Sequence, residues 1–235
     1  MAGVELLFPE FLLAAAALLL PGTYLLHRNA QLCGRLAVAT LAVATLAVAL
    51  GATWLQWFGS GAGVSATYFG HLEIDLFSQL FKFAFLAIAL GSGIVSLAYL
   101  EDLPHRPEFF TLLLTATLGM LIVASATDLL TLFIGLELAA FSSYALVAFQ
   151  KHDDGSSEAG AKYLLIGSFS SALTLYGISL LYGLTGTVEL AAIAAHDWGA
   201  SFSGVLFVAI LFIIGGLGFK VAAVPFHAWA PDVYQ

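Results

Sequence analysis

Long apolar runs separated by short polar breaks dominate the chain, and that pattern predicts its architecture. Seven runs stand out, at about Leu6–Leu26, Leu36–Phe58, Phe77–Leu100, Phe109–Ala126, Leu129–Phe149, Ala159–Tyr182 and Phe202–Val224. Each approaches the ~20 residues a helix needs to cross a bilayer. The runs are continuous, whereas strands of a membrane barrel alternate over about 10 residues. The expected fold is therefore all-α, a polytopic membrane bundle of about seven transmembrane helices. Thr187–Ala195 reads as a short amphipathic helix on the surface, and Asp128 suits the N-cap of the fifth helix by accepting from a first-turn N–H.

Composition agrees with a membrane protein. The 235 residues are 61% hydrophobic and 9% charged, where soluble domains carry roughly 25% charged residues. Mean hydropathy is +0.99. The net charge of −8 sits mostly between the runs, so it argues neither for nucleic acid nor for an acidic substrate. The one cysteine, Cys33, excludes an internal disulfide and a multi-cysteine metal site, and it reads as a small apolar filler. The first residues carry Glu5 and Glu10 but no Lys or Arg, unlike the basic start of a secretory signal.

Loop charges predict an orientation. Arg28 and Arg35 lie between runs one and two, Arg106 between three and four, and Lys151 between five and six. The stretches from Gly59 to Asp75 and from Thr185 to Ser201 hold no Lys or Arg. By the positive-inside rule the N-terminus is expected outside and Gln235 on the cytoplasmic side.

Charges inside the runs are the candidates for chemistry. Glu137 lies about nine residues into the fifth run, roughly 12–14 Å deep at 1.5 Å per residue. An acidic or basic residue there costs roughly 2.5–3.5 kcal/mol on insertion scales. Desolvation also acts against a buried carboxylate's charge, which suits it to proton exchange. Tyr144 shares its face. Lys162 is expected in the first turn or so of the sixth helix, where it either snorkels to the interface or serves as a buried base. Ser168, Ser170, Ser171, Thr174 and Tyr176 follow it and offer hydroxyls to water or to neighbouring helices.

The stretch GGLGFKVAAVPFHAWAPDVYQ carries Lys220 and, five residues on, Pro225. Pro225 is expected to break the seventh helix, since it donates no N–H and its ring clashes with the carbonyl of Val221. Lys220 then either snorkels or faces a broken helix buried in protein or lining a wet cavity. His227 is a candidate relay because imidazole titrates near neutrality. Lys82, one turn into the third helix, reads as a snorkelling lysine, and Glu73 and Asp75 as interface residues. The remaining histidines show no metal spacing. One buried acid and two buried bases on separate helices can pass protons, because moving one charge changes the proton affinity of the next.

These same stretches carry a resemblance. LLTLFIGLELAAFSSYAL, SSEAGAKYLLIGSFSSALTLYGISLLYGLTG and GGLGFKVAAVPFHAWAPDVYQ resemble subunit N of bacterial NADH-quinone oxidoreductase, respiratory complex I, from about Glu73 to Gln235. Residues 1–72 fit in hydropathy alone. The resemblance implies an antiporter-like fold, whose full form has fourteen helices and two inverted repeats. It divides this chain into residues 1–107, the first three helices, and residues 108–235, a first repeat that stops before its end. It implies that Glu137, Lys162 and Lys220 are relay residues and that Pro225 is the helix-breaking proline. It further implies proton transport in a translocase whose NAD, FMN, iron–sulfur clusters and quinone bind partner subunits, with no cofactor or metal here. The expected location is the bacterial inner membrane, among the other subunits. The alternatives are a subunit of a multisubunit cation/proton antiporter or membrane-bound hydrogenase, or a non-transporting membrane scaffold.

Overall fold

The structure, a computed structural model, describes residues 4–27, 29–58, 66–100, 106–198 and 204–234. Arg28, Gln235 and the whole stretch from Gly59 to Ser65, on which the orientation argument partly falls, lie outside the described residues. Packing divides the chain into two compact units, Met1–Ala126 and Thr127–Gln235.

The first unit begins with a 3-10 turn at Val4–Leu7 and helices α1 (Phe8–His27) and α2 (Ala30–Phe58). A hairpin of β1 (Ala66–Tyr68) and β2 (Leu72–Ile74) follows, then α3 (Leu76–Tyr99) and α4 (Arg106–Ser125). α2 begins six residues earlier than the apolar run, because the Asn29 side chain accepts from Leu32 N at 3.0 Å and caps the polar lead-in. Ala37, Leu41, Ala44 and Val48 recur at helical spacing on its buried face. α4 packs on α1, α2 and α3 within this unit.

The hairpin is the one β-sheet among the described residues. Its turn runs from Tyr68 to His71, closed by His71 N donating to Tyr68 O at 3.1 Å. Phe69 and Gly70 both have positive φ, the signature of a type I′ turn. No Asn-Gly or Asp-Gly pair announces it in the sequence. Leu7 and Ile74 are buried together beside Tyr68 and Leu72, fastening the hairpin to the start of the chain. Asp75, expected as an interface residue, caps α3 by a reciprocal box with Ser78.

The second unit holds α5 (Leu129–Val147), α6 (Asp154–Thr185), α7 (Leu190–Ala194), α8 (Gly204–Lys220) and α9 (Ala230–Tyr234). Asp128 caps α5 as expected, accepting from Leu130 N and Thr131 N at 2.9 and 2.8 Å. α7 realises the short helix predicted after Thr187. Among the described residues six helices are long and apolar enough to span a membrane, and α8 is a shorter apolar helix.

Two boundaries differ from expectation. α6 begins at Asp154, not at Ala159, because Asp153 accepts from Ser156 N at 2.7 Å and turns the polar SSE stretch into helix. Lys162 therefore sits in the third turn. α8 ends at Lys220, before Val224 and before Pro225. Ala223 N donates to Gly218 O at 2.8 Å and Ala222 N to Phe219 O at 3.0 Å, with Ala222 at φ 52. That is a Schellman termination with alanine in the left-handed position usually held by glycine. Pro225, joined by a cis bond to Val224, lies inside the interrupted segment and does not itself end the helix.

α6 and α8 approach closely at Gly216. A Cβ there would fall on Thr174 Oγ1 and within 2.6 Å of the Ser170 carbonyl oxygen. Ser170 Oγ donates to Gly216 O at 2.5 Å across the same contact. Gly216→Val is expected to force the helices apart, at about 1–3 kcal/mol for overpacking. The expected readout is a lower yield of folded subunit and a lower detergent unfolding temperature. An unchanged temperature would contradict the close contact.

Candidate functional site

The candidate site lies in the second unit, where α5, α6, α8 and α9 bring together residues far apart in the chain. Glu137 is in the middle of α5 and Lys220 is the last residue of α8. Their side chains are 15% and 21% exposed, with Lys220 Nζ 3.5 Å from Glu137 Oε1. Ser171, on α6, donates to the same oxygen at 2.7 Å. Glu137 thus accepts from one neutral and one charged donor, and charge-assisted bonds are about twice as strong as neutral ones. The Lys220 ammonium also lies 6.0 Å from the Tyr144 ring centroid and 5.7 Å from that of Phe219. Aromatic faces at that range favour a cation.

The sequence reading expected Lys162 to join this set. Instead Lys162 Nζ pairs with Glu158 at 2.7 Å, one turn earlier on α6, and with Asp232 at 2.9 Å on α9. Asp232 was not singled out as a site residue, because its lysine lies on another element. His227 is exposed in the interrupted segment, where its carbonyl accepts from Ala230 N at 3.1 Å. Glu137, Ser171 and Lys220 form one centre, and Lys162, Glu158 and Asp232 form another.

An aromatic cluster adjoins both centres. Tyr144, Phe219 and Trp229 are buried with Ala140, and Tyr163 packs on them. Tyr163 stacks on Trp229 at 4.5 Å and meets Tyr144 edge-on at 4.6 Å. Tyr163 adjoins Lys162 in sequence, Phe219 adjoins Lys220, and Trp229 precedes Asp232 by three residues. Tyr144 Oη and Trp229 Nε1 are buried with no hydrogen-bond partner among the described residues. Leaving such groups unpaired costs about 1–3 kcal/mol each, so they mark polar ground inside the cluster.

The first unit contradicts one expectation outright. Lys82 does not snorkel, since it is wholly buried with its Nζ 2.5 Å from Glu10 Oε1. Glu10, on α1, is itself 8% exposed. The rule that a lysine one turn from a helix end reaches the interface considers only its own helix, and here the partner comes from another. Arg106, counted as a loop charge, is buried at the start of α4 and donates to the Leu97 carbonyl in the last turn of α3. Among the described residues no group of three or more His, Cys, Asp or Glu is arranged to hold a metal ion.

Residues 126–235 match the family described as NADH:quinone oxidoreductase/Mrp antiporter, TM. Over 97% of its length the chain is 43% identical to F(420)H(2) dehydrogenase subunit N of Methanosarcina mazei, covering 47% of that protein. Over 100% of its length it is 40% identical to NADH-quinone oxidoreductase subunit N of Erythrobacter litoralis, covering 48% of it. The structure of respiratory complex I from Thermus thermophilus contains a similar chain, at TM-score 0.77 and 32% identity. That match covers 97% of this chain and 47% of the other. The chain thus spans about half the length of the curated relatives it matches.

Proposed function

Because residues 126–235 carry the transmembrane domain of the NADH:quinone oxidoreductase/Mrp antiporter family, in a chain homologous to subunit N, we propose that it translocates protons in a multisubunit quinone oxidoreductase. The observation that carries this reading is the Glu137–Lys220 pair, a carboxylate and an ammonium 3.5 Å apart inside a membrane domain. Charges at such depth are costly and mark ion pathways when they persist. A proton reaching Glu137 neutralises it and removes the counter-ion of Lys220. Lys220 then gives its own proton to the next acceptor. When Glu137 passes its proton to the neutral Lys220, the carboxylate–ammonium pair is restored.

Electron transfer from the reduced donor to quinone takes place in partner subunits, which hold the nicotinamide, flavin and iron–sulfur groups. The donor is their property, since one relative belongs to an F(420)H(2) dehydrogenase and another to an NADH-quinone oxidoreductase. In this reading the chain is a translocase subunit of a bacterial inner membrane, with its N-terminus outside and Gln235 on the cytoplasmic side. Residues 108–235 form the larger part of a first antiporter-like repeat. The family also includes Mrp antiporters, which supports a second reading as a cation/proton antiporter subunit without redox partners.

The test is Lys220→Ala in the full-length subunit, with proton pumping and quinone reduction followed in inverted vesicles and assembly followed by native gel. The expected result is an assembled complex pumping about a hundredfold or more slowly, on the scale of losing an acid–base group. Wild-type pumping by an assembled complex would leave the charges as helix glue only.

A further inference from the structure

Lys162 is held away from the Glu137–Lys220 pair by a contact that crosses the interrupted helix. Its ammonium meets Asp232 at 2.9 Å, and the neighbouring Tyr163 stacks on Trp229 at 4.5 Å and 17°. Two adjacent residues of α6 therefore grip two residues at the far end of the interruption. The near end of the same interruption is Lys220, gripped by Glu137. The second contact on Lys162, Glu158, lies on the same helix; both pairs are partly exposed and contribute little stability by themselves. Asp232 is the contact that depends on where α9 lies.

Resting on the relay reading above, we propose that Asp232 is the positioning residue for Lys162, clamping its ammonium so that it exchanges a proton with the Glu137–Lys220 centre only when the clamp opens. Opening needs no covalent step. A proton bound by Asp232, or α9 leaving α6, removes the counter-ion, and the freed ammonium on its flexible four-carbon stem is then able to release its proton toward that centre. Tyr163 and Trp229 return α9 to its seat. The interrupted helix thereby links the two ion pairs, because its one end carries Lys220 and its other carries Asp232.

The experiment uses the full-length subunit in its assembled complex, with pumping in inverted vesicles and assembly by native gel. The variants are Asp232→Asn, Asp232→Glu, Lys162→Ala and the double Asp232→Asn/Lys162→Ala. The expected results are a severalfold loss of pumping for Asp232→Asn, substantial rescue by Asp232→Glu, and no loss in the double variant beyond that of Lys162→Ala. Wild-type pumping by Asp232→Asn, or a further loss in the double variant, would overturn the proposal. If Asp232→Asn does not assemble but the double variant does, Asp232 acts through the lysine charge, as proposed. If neither assembles, the carboxylate is structural and the proposal fails. Normal pumping by Lys162→Ala together with defective Lys220→Ala would sink the clamp and leave the relay at Glu137–Lys220 standing.

Discussion

Glu137→Gln is expected to stop proton pumping while the complex still assembles. Glutamine keeps the length of the side chain and an oxygen for the Ser171 hydroxyl, which now donates to Glu137 at 2.7 Å. Packing around α5 should therefore survive. The charge does not survive, and neither does the ability to bind and release a proton. Lys220, 3.5 Å from that oxygen, loses its counter-ion. A buried charge without a partner is expelled or neutralised, so the second relay group fails with the first. Loss of an acid–base group is typically worth 10²–10⁴-fold in rate, and a fall of at least about a hundredfold is expected in pumping. Quinone reduction should fall with it where the two are coupled. Pumping rate against assembled complex, measured in vesicles, checks this.

The largest structural effect is expected in the other unit. Lys82→Met leaves Glu10 buried beside a thioether and removes the cation that now sits at its carboxylate. Removing one partner of a buried ion pair costs about 3–5 kcal/mol, a large part of the 5–15 kcal/mol that holds a typical domain. The single variant should accumulate poorly and unfold at a much lower temperature in detergent. The double variant Glu10→Gln/Lys82→Met should recover most of that loss, because a neutral, well-packed replacement of a buried pair is often harmless. This double-mutant cycle distinguishes the pair from two independent contacts. Equal losses that simply add would mean that Glu10 and Lys82 do not interact.

These two cases also mark how far the sequence could be read. Glu137 was legible because its apolar run places it at costly depth, which needs no knowledge of neighbours, whereas Lys220, near the end of its run, stayed open between snorkelling and burial. Asp128 was legible as a cap because capping is a contact within one turn. Lys82 was not, since its burial is decided by α1 and its position in α3 points the other way. The end of α8 was hidden for a different reason. A helix terminated in the left-handed conformation usually announces itself with glycine, and here Ala222 occupies that position. The proline that follows drew the expected break several residues downstream. Lys162 was recognised as unusual, but its partner Asp232 lies beyond the interruption, and only the folded chain brings α9 to α6. Local chemistry fixed most helices and their caps, and contacts between helices decided which charges meet.

The central claim is that Glu137 takes up and releases a proton during turnover. Infrared difference spectroscopy of membranes carrying the full-length subunit, recorded as quinone reduction begins, tests it directly. The expected result is a carbonyl band of a protonated carboxylic acid that appears and decays with turnover and is missing in Glu137→Gln. A wild-type complex that pumps protons with no Glu137-dependent band would contradict the account.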